Sequence, residues 1–198
     1  NSDFSSAAME FEKVLHEKEE YAKDELKELE EKAEKWTYHE MFSEKPGYYE
    51  NLFEREGLVF LIFENDSLRF WTDNTVAVHQ QLSKNAFSGK IARLPNGWFG
   101  IERLAKGNKK LFALILLKRQ YDYQNKYLSN EFQRDFHFNE ETEIVIDANK
   151  VGKKGPDPAQ SGDVYERKGD YICTLAFPAS GQTASFGFYM AILLNLLG

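Results

Sequence analysis

The chain has 198 residues, 42% hydrophobic and 29% charged, which excludes wholesale disorder and gives length enough for one domain with a real core. Its net charge of −7 excludes a phosphate-backbone binder, so no nucleic-acid partner is expected. A single cysteine, Cys173, excludes an internal disulfide and a Cys-based zinc cluster, and its apolar surroundings predict a small buried core residue. No charged n-region precedes an apolar segment at the start, so no signal peptide is read there, and Asn1 in place of Met suggests a cut or processed chain.

Residues from about Phe4 to Trp36 predict one long helix. Phe4, Phe11, Leu15, Ala22, Leu26, Leu29, Ala33 and Trp36 recur at steps of three, four or seven, with no Pro or Gly between them. Glu19 with Lys23, Glu28 with Lys32 and Glu31 with Lys35 stand at (i, i+4) in the favourable order. Between Glu10 and Lys35 there are 11 acidic residues against 6 lysines, so most of the negative charge is here. Such a helix spans about 50 Å, longer than one domain is wide. Two readings stay open: a solvated helix packed on a sheet, or a parallel two-helix stalk that makes a homodimer.

Pro46-Gly47 marks a break, and strand patterns follow. Leu58–Phe63 is apolar on both faces, as in a central strand. Glu64-Asn65-Asp66-Ser67 reads as a turn, and Leu68–Thr72 returns to close a hairpin. Residues 76–86 are ambiguous between loop and short helix. Leu94-Pro95-Asn96-Gly97 turns the chain into a strand over Trp98–Leu104. Lys106-Gly107-Asn108 then closes a hairpin onto Lys110–Lys118, again apolar on both faces. Strands buried on both sides need two covering layers. Glu143–Asp147 predicts a short strand, 149–162 a loop, and Tyr165–Phe177 one or two last strands. The fold class is α+β: a long N-terminal helix plus a central, mostly antiparallel sheet. The expected division is 1–36 for the helix, 37–185 for the α+β domain and 186–198 for an apolar end. That end, Phe186–Leu197, suits either a buried terminal helix or the first half of a transmembrane helix.

Catalytic patterns are not met. His16, His39, His79 and His137 lack a second ligand at metal spacing, so no metal is expected. Asp135 and His137 would share one face of a strand, but no nucleophile lies near them. Gly152-Lys153-Lys154-Gly155 lacks the spacing of a phosphate-binding loop. No catalytic residue and no cofactor is assigned. Two aromatic and polar clusters stand out instead, Phe70–Asn74 and Tyr121–Phe132. They suit either a small-ligand pocket or loops organised by their own hydroxyls and amides. The candidate ligand-binding residues are Trp71, Asp73, Trp98, Tyr121, Tyr123, Asn125 and Tyr127. The rings would form apolar walls, and Asp73 and Asn125 would orient the ligand.

Three landmarks in order carry a resemblance. Phe63–Asn74 (Phe-Glu-Asn-Asp-Ser-Leu-Arg-Phe-Trp-Thr-Asp-Asn), Leu94–Phe99 (Leu-Pro-Asn-Gly-Trp-Phe) and the run Leu117–Leu128 resemble segments of the extracytoplasmic sensor regions of Bacteroidetes sensor histidine kinases. The likeness covers roughly Trp36 to Phe177. It implies a PAS- or Cache-like input domain in the periplasm, held at the inner membrane by flanking segments. Its signal would be a small molecule or a protein, and signalling would shift the long helix. The phospho-accepting His box and the ATP-binding boxes of such kinases are absent from this stretch, so the kinase activity would belong to the full-length protein. A protein-interaction or dimerisation module without a small ligand is the alternative.

Overall fold

The computed structural model describes residues 2–44, 47–49, 51–76, 78–80, 87–121, 128–146 and 160–178. Helix α1 (Ser2–Lys35) is continuous over 34 residues. Its apolar stripe of Ala8, Phe11, Leu15, Ala22, Leu26, Leu29 and Ala33 is buried in the chain's own core. Of the three expected (i, i+4) pairs, Glu28–Lys32 forms at 2.6 Å, while Lys23 reaches across to Glu102 on the sheet at 3.5 Å.

Two short helices follow, α2 (Tyr38–Glu44) and α3 (Leu52–Glu56). Helix α2 opens on a reciprocal cap. The Glu40 carboxylate accepts from the Thr37 N–H at 2.7 Å, and Thr37 Oγ1 accepts from the Glu40 N–H at 3.3 Å. Helix α3 ends at Gly57, where φ is +70° and a side chain would be strained.

The strands are β1 (Leu58–Glu64), β2 (Ser67–Trp71), β3 (Ile91–Leu94), β4 (Gly97–Lys106), β5 (Lys109–Arg119), β6 (Glu131–Phe132), β7 (Glu143–Val145), β8 (Ser161–Tyr165) and β9 (Tyr171–Ala176). The larger sheet runs β2-β1-β5-β4-β3, with β6 paired to the end of β5, and every pairing is antiparallel. The β1–β2 turn is the two-residue Asn65-Asp66, both at positive φ, the geometry that matches strand twist in tight hairpins. The expected long helix and antiparallel sheet are therefore present as an α+β fold. Strands β1, β2, β4, β5 and β7 lie within two residues of the expected runs, whereas β3 and β6 fall where no strand is expected and β8 begins inside the stretch 149–162 expected as a loop.

The two-sided strands have two cores. Leu58, Phe60 and Ile62 of β1 join Leu111, Ala113, Ile115 and Leu117 of β5 against α1. The other faces, through Val59, Leu61, Phe63, Phe112, Leu114 and Leu116, are covered by Phe53 of α3 with Val76 and Phe87. Gly100 stands under Leu15 and admits α1 close to the sheet: a Cβ there would lie 3.4 Å from Leu15 Cδ1.

A single central sheet is the sequence expectation; the structure has a second, three-stranded sheet, β7-β9-β8. Strand β8 lies against the first half of α1. Gly162 makes that contact, because a Cβ there would fall 2.6 Å from the Phe4 carbonyl oxygen and 2.8 Å from Ala8 Cβ. Asp135 lies in a 3-10 turn, Arg134–Phe136, with His137 at positive φ, instead of in a strand. Its carboxylate binds Lys18 of α1 at 2.6 Å. Cys173 is fully buried, and burial pushes its thiol up to about 12. The segment 186–198 and the residues Lys153 and Lys154 of the expected loop lie outside the described residues. Among the described residues, no helix is long and apolar enough to cross a membrane.

Candidate functional site

Four chain segments meet at one end of the larger sheet. They are the exit of β2 with the residues that follow Trp71, the start of β1, the end of β5 and the β3–β4 turn. The β3–β4 turn is the tie. Asn96 Nδ2 donates to the Thr75 carbonyl at 2.8 Å, and the Gln120 N–H donates to the Asn96 carbonyl at 3.1 Å. Arg93 donates to the carbonyls of Leu94, Gly97 (3.3 Å) and Gln120 (3.0 Å). Gly97 is required here, since a Cβ would lie 2.6 Å from the Lys118 carbonyl oxygen. The described parts of the three landmarks are thus neighbours in space.

The expected ligand residues divide within this region. Trp71 and Asp73 line one cleft of about 350 Å³. Trp98 does not join them: its indole N–H donates to Gln120 Oε1 at 2.7 Å, its ring packs on the α1-side core, and Arg93 sits 5.9 Å from its centroid. Tyr121 follows Gln120 and is fixed by its N–H, which donates to Asn130 Oδ1 at 2.8 Å. Trp98 and Tyr121 therefore organise the strand end, the structural alternative for such residues. Tyr123, Asn125 and Tyr127 lie outside the described residues.

The cleft lies between α2 and the end of β2. Tyr38 and Phe42, one turn apart on α2, form one wall; Phe70, Trp71 and the segment to Asn74 form the other. Phe70 is buried at its base, with ring centroids 6.4 Å from Tyr38 and 6.4 Å from Phe42. The rim is open to solvent, Trp71 being 47% exposed and Phe42 42%. The Tyr38 hydroxyl donates to Glu64 Oε2 at 3.2 Å, and burial together with that carboxylate pushes it up to about 12, so it remains a donor. Thr72 is occupied, its hydroxyl accepting from the Phe60 N–H at 2.9 Å. Asp73 Oδ1 accepts from the Thr75 N–H at 2.6 Å and sets the turn. By contrast, the side chains of Arg69, Trp71 and Asn74 make no hydrogen bond or ion pair with another described residue.

Tyr38, Phe42, Arg69 and Asn74 are absent from the sequence-derived set. Arg69 and Asn74 sit inside the quoted hairpin segment, and the (i, i+4) spacing of Tyr38 and Phe42 after a Thr-x-x-Glu cap was the available signal.

Helix α2 is fixed to the last turns of α1. Lys32 bridges Glu28 at 2.6 Å and Glu44 at the end of α2, and lies 5.8 Å from the centroid of Trp36. Partial burial opposes the Lys32 charge, but the bonds to Glu28 and Glu44 outweigh it and raise its pKa. Met41 is fully buried between these elements.

A second polar group lies between α1 and β4. Glu102 is buried and meets Lys90 at 3.2 Å and Lys23 at 3.5 Å, while Lys90 also reaches Glu166 at 3.5 Å. Glu19 is 8% exposed, and its carboxyl is pushed above its ordinary 4.5 by burial and then by the Glu102 charge. The folded state therefore holds more protons on Glu19 than the unfolded chain does, between 4.5 and the raised value. There Glu19 costs stability as pH rises. Glu19→Gln should unfold at a higher denaturant midpoint than the parent at pH 7, and the gap should close as pH falls below about 4.5. Equal midpoints at both pH values would contradict this. Among the described residues, no cluster of three or more His, Cys, Asp or Glu side chains could hold a metal ion.

No protein-family model matches the chain, and neither a curated protein nor a solved structure matches it.

Proposed function

We propose that the chain is a signal-sensing input domain whose signal is read in the α2–β2 cleft and carried along α1. One observation carries this reading. The helix that packs on both sheets is bolted, through Lys32, Glu44 and Met41, to the helix forming one wall of the cleft. A ligand that draws α2 toward Trp71 changes the setting of the last turns of α1. It biases the domain only to the extent that it binds one setting more tightly than the other. A 34-residue helix is stiff enough to pass such a change over tens of ångströms.

The setting implied by the sequence resemblance is the periplasmic segment of an inner-membrane sensor histidine kinase. This fragment would then have no catalytic role of its own. The test is the gene on both sides of the fragment. Membrane-spanning segments before and after it, followed by a kinase core, are expected. A gene with no kinase or other output module on either side would overturn the reading.

The interaction-module alternative has a specific observation in its favour. Among the described residues, both faces of the larger sheet are filled by side chains, with Phe53, Val76 and Phe87 covering the face opposite α1. In that reading the exposed Trp36, Phe42 and Trp71 meet a partner protein.

A further inference from the structure

We infer that the α2–β2 cleft takes a neutral saccharide; the inference rests on the sensing reading and supplies its ligand class. Three features select that chemistry. First, the walls are aromatic and open: Trp71 and Phe42 line the rim, about half and two-fifths exposed, with Tyr38 beside them, and Phe42 is backed by Tyr49, stacked on it at 6.2 Å. A pyranose ring offers an apolar C–H face that lies flat on such rings, since the negative ring face attracts the polarised C–H groups. A shallow, open aromatic site suits it better than it suits a wholly apolar ligand, which needs enclosure to lose its water.

Second, the polar groups of the cleft that have no partner among the described residues match hydroxyls. Arg69 is a planar fork of donors, and Asn74 offers a donor and an acceptor from one amide. The Trp71 indole N–H is a further donor. None of these three side chains bonds to another described residue. The remaining Asp73 oxygen adds an acceptor beside them. Vicinal hydroxyls, each both donor and acceptor, satisfy this mixed set; a carboxylate ligand would use the donors only.

Third, the charge balances. Arg69 is the single cation and Asp73 the single carboxylate among the lining residues, so the cleft favours a ligand without net charge. An extended peptide added to the edge of β2 is disfavoured, because the Leu68 N–H on that edge already donates to the Gln80 carbonyl at 2.8 Å. The volume, about 350 Å³, suits one or two sugar rings.

The test is a titration of the chain with neutral disaccharides (maltose, cellobiose, xylobiose, mannobiose and N-acetylchitobiose), followed by tryptophan fluorescence and by saturation transfer to the sugar protons. At least one should saturate below about 10 mM, the range of a shallow site. Trp71→Ala should weaken it tenfold or more. Trp71→Phe, which keeps a ring face, should stay within about threefold of the parent. Asn74→Ala should weaken it by a smaller factor. Trp71 is about half exposed at a sheet edge, so its variants are expected to fold, and a circular-dichroism melt checks this. Failure of every disaccharide to saturate, or equal binding by folded Trp71→Ala, would overturn the inference. Saturation by L-phenylalanine or phenylacetate but by no sugar would also overturn it while leaving the sensing reading intact. Sugar binding by a chain whose gene carries no output module would do the reverse.

Discussion

Replacing Phe11 by alanine should lower the unfolding free energy by about 3–5 kcal/mol. Phe11 is fully buried. Its ring stacks on Phe136 at 4.5 Å between centroids and meets Phe138 and Phe132 edge-on at 5.7 and 6.3 Å. Those rings come from the 3-10 turn, the residues after it, and the strand paired to the end of β5. Phe138 passes the contact to Phe177 at 6.2 Å, and Phe177 to Phe4 at 4.8 Å. Truncation would remove one side of three ring contacts and leave a cavity among the neighbouring rings. A typical domain has only about 5–15 kcal/mol in total, so urea denaturation should show a large fall in midpoint at an unchanged slope. Met9→Ala, 58% exposed on the same helix, should change it by about 0.5 kcal/mol or less. A Phe11→Ala midpoint equal to that of Met9→Ala would contradict the packing described.

Replacing Gly162 by valine should detach the smaller sheet from α1 while the larger sheet stays folded. The added Cβ would stand 2.6 Å from the Phe4 carbonyl oxygen, and backbone cannot swing aside as a side-chain tip can. Overpacking of this kind costs about 1–3 kcal/mol, and here the relief is separation of β8 from the helix. Two contacts would go with it: the Tyr165 N–H to Glu12 Oε1 at 2.7 Å, and the His16 ring to the Tyr165 carbonyl at 3.0 Å. Hydrogen exchange should rise over β8 and β9, including the amide of Cys173, and stay unchanged over β1 and β5. Unchanged exchange in β8 and β9 would mean that the helix–sheet contact is not tight at Gly162.

The elements legible in the sequence were those with a long, clean period. The α1 stripe repeats over eight turns or so, and β1 and β5 are apolar at every position, so burial on both faces could be read directly. The second sheet was not separable, because β7 has three residues and β8 five, too short to say which neighbours they choose. Strand pairing is a tertiary choice: Glu143–Ala176 and Ser161–Ala176 are set by β9 lying between two partners, not by local pattern. At the site, Trp71 and Asp73 line the cleft, and an aromatic followed by polar residues at a strand end is conspicuous in sequence. Trp98 looked the same in sequence, yet Gln120 takes its indole N–H and the α1-side core takes its ring. Only the fold distinguishes an indole that has a partner from one that has none among the described residues. Lys18 and Lys118 make the same point for charge. Lys118 reads as the polar end of a strand, but it is buried and donates to the carbonyls of Glu140 and Thr142, both at 2.6 Å. Burial lowers its pKa against the pull of Glu143 and Glu140.

Transmission along α1 requires that the helix open and close as one unit across both sheets. Native-state hydrogen exchange in rising denaturant tests this most directly. The buried amides from Phe11 to Lys18, over the smaller sheet and the phenylalanine cluster, should converge on the same opening free energy as those from Leu26 to Ala33, beside the cleft-bearing α2. If the first group opens together with β8 and β9 at a free energy lower by about 2 kcal/mol or more, the helix is two independent halves, and no signal read at α2 could be carried along it.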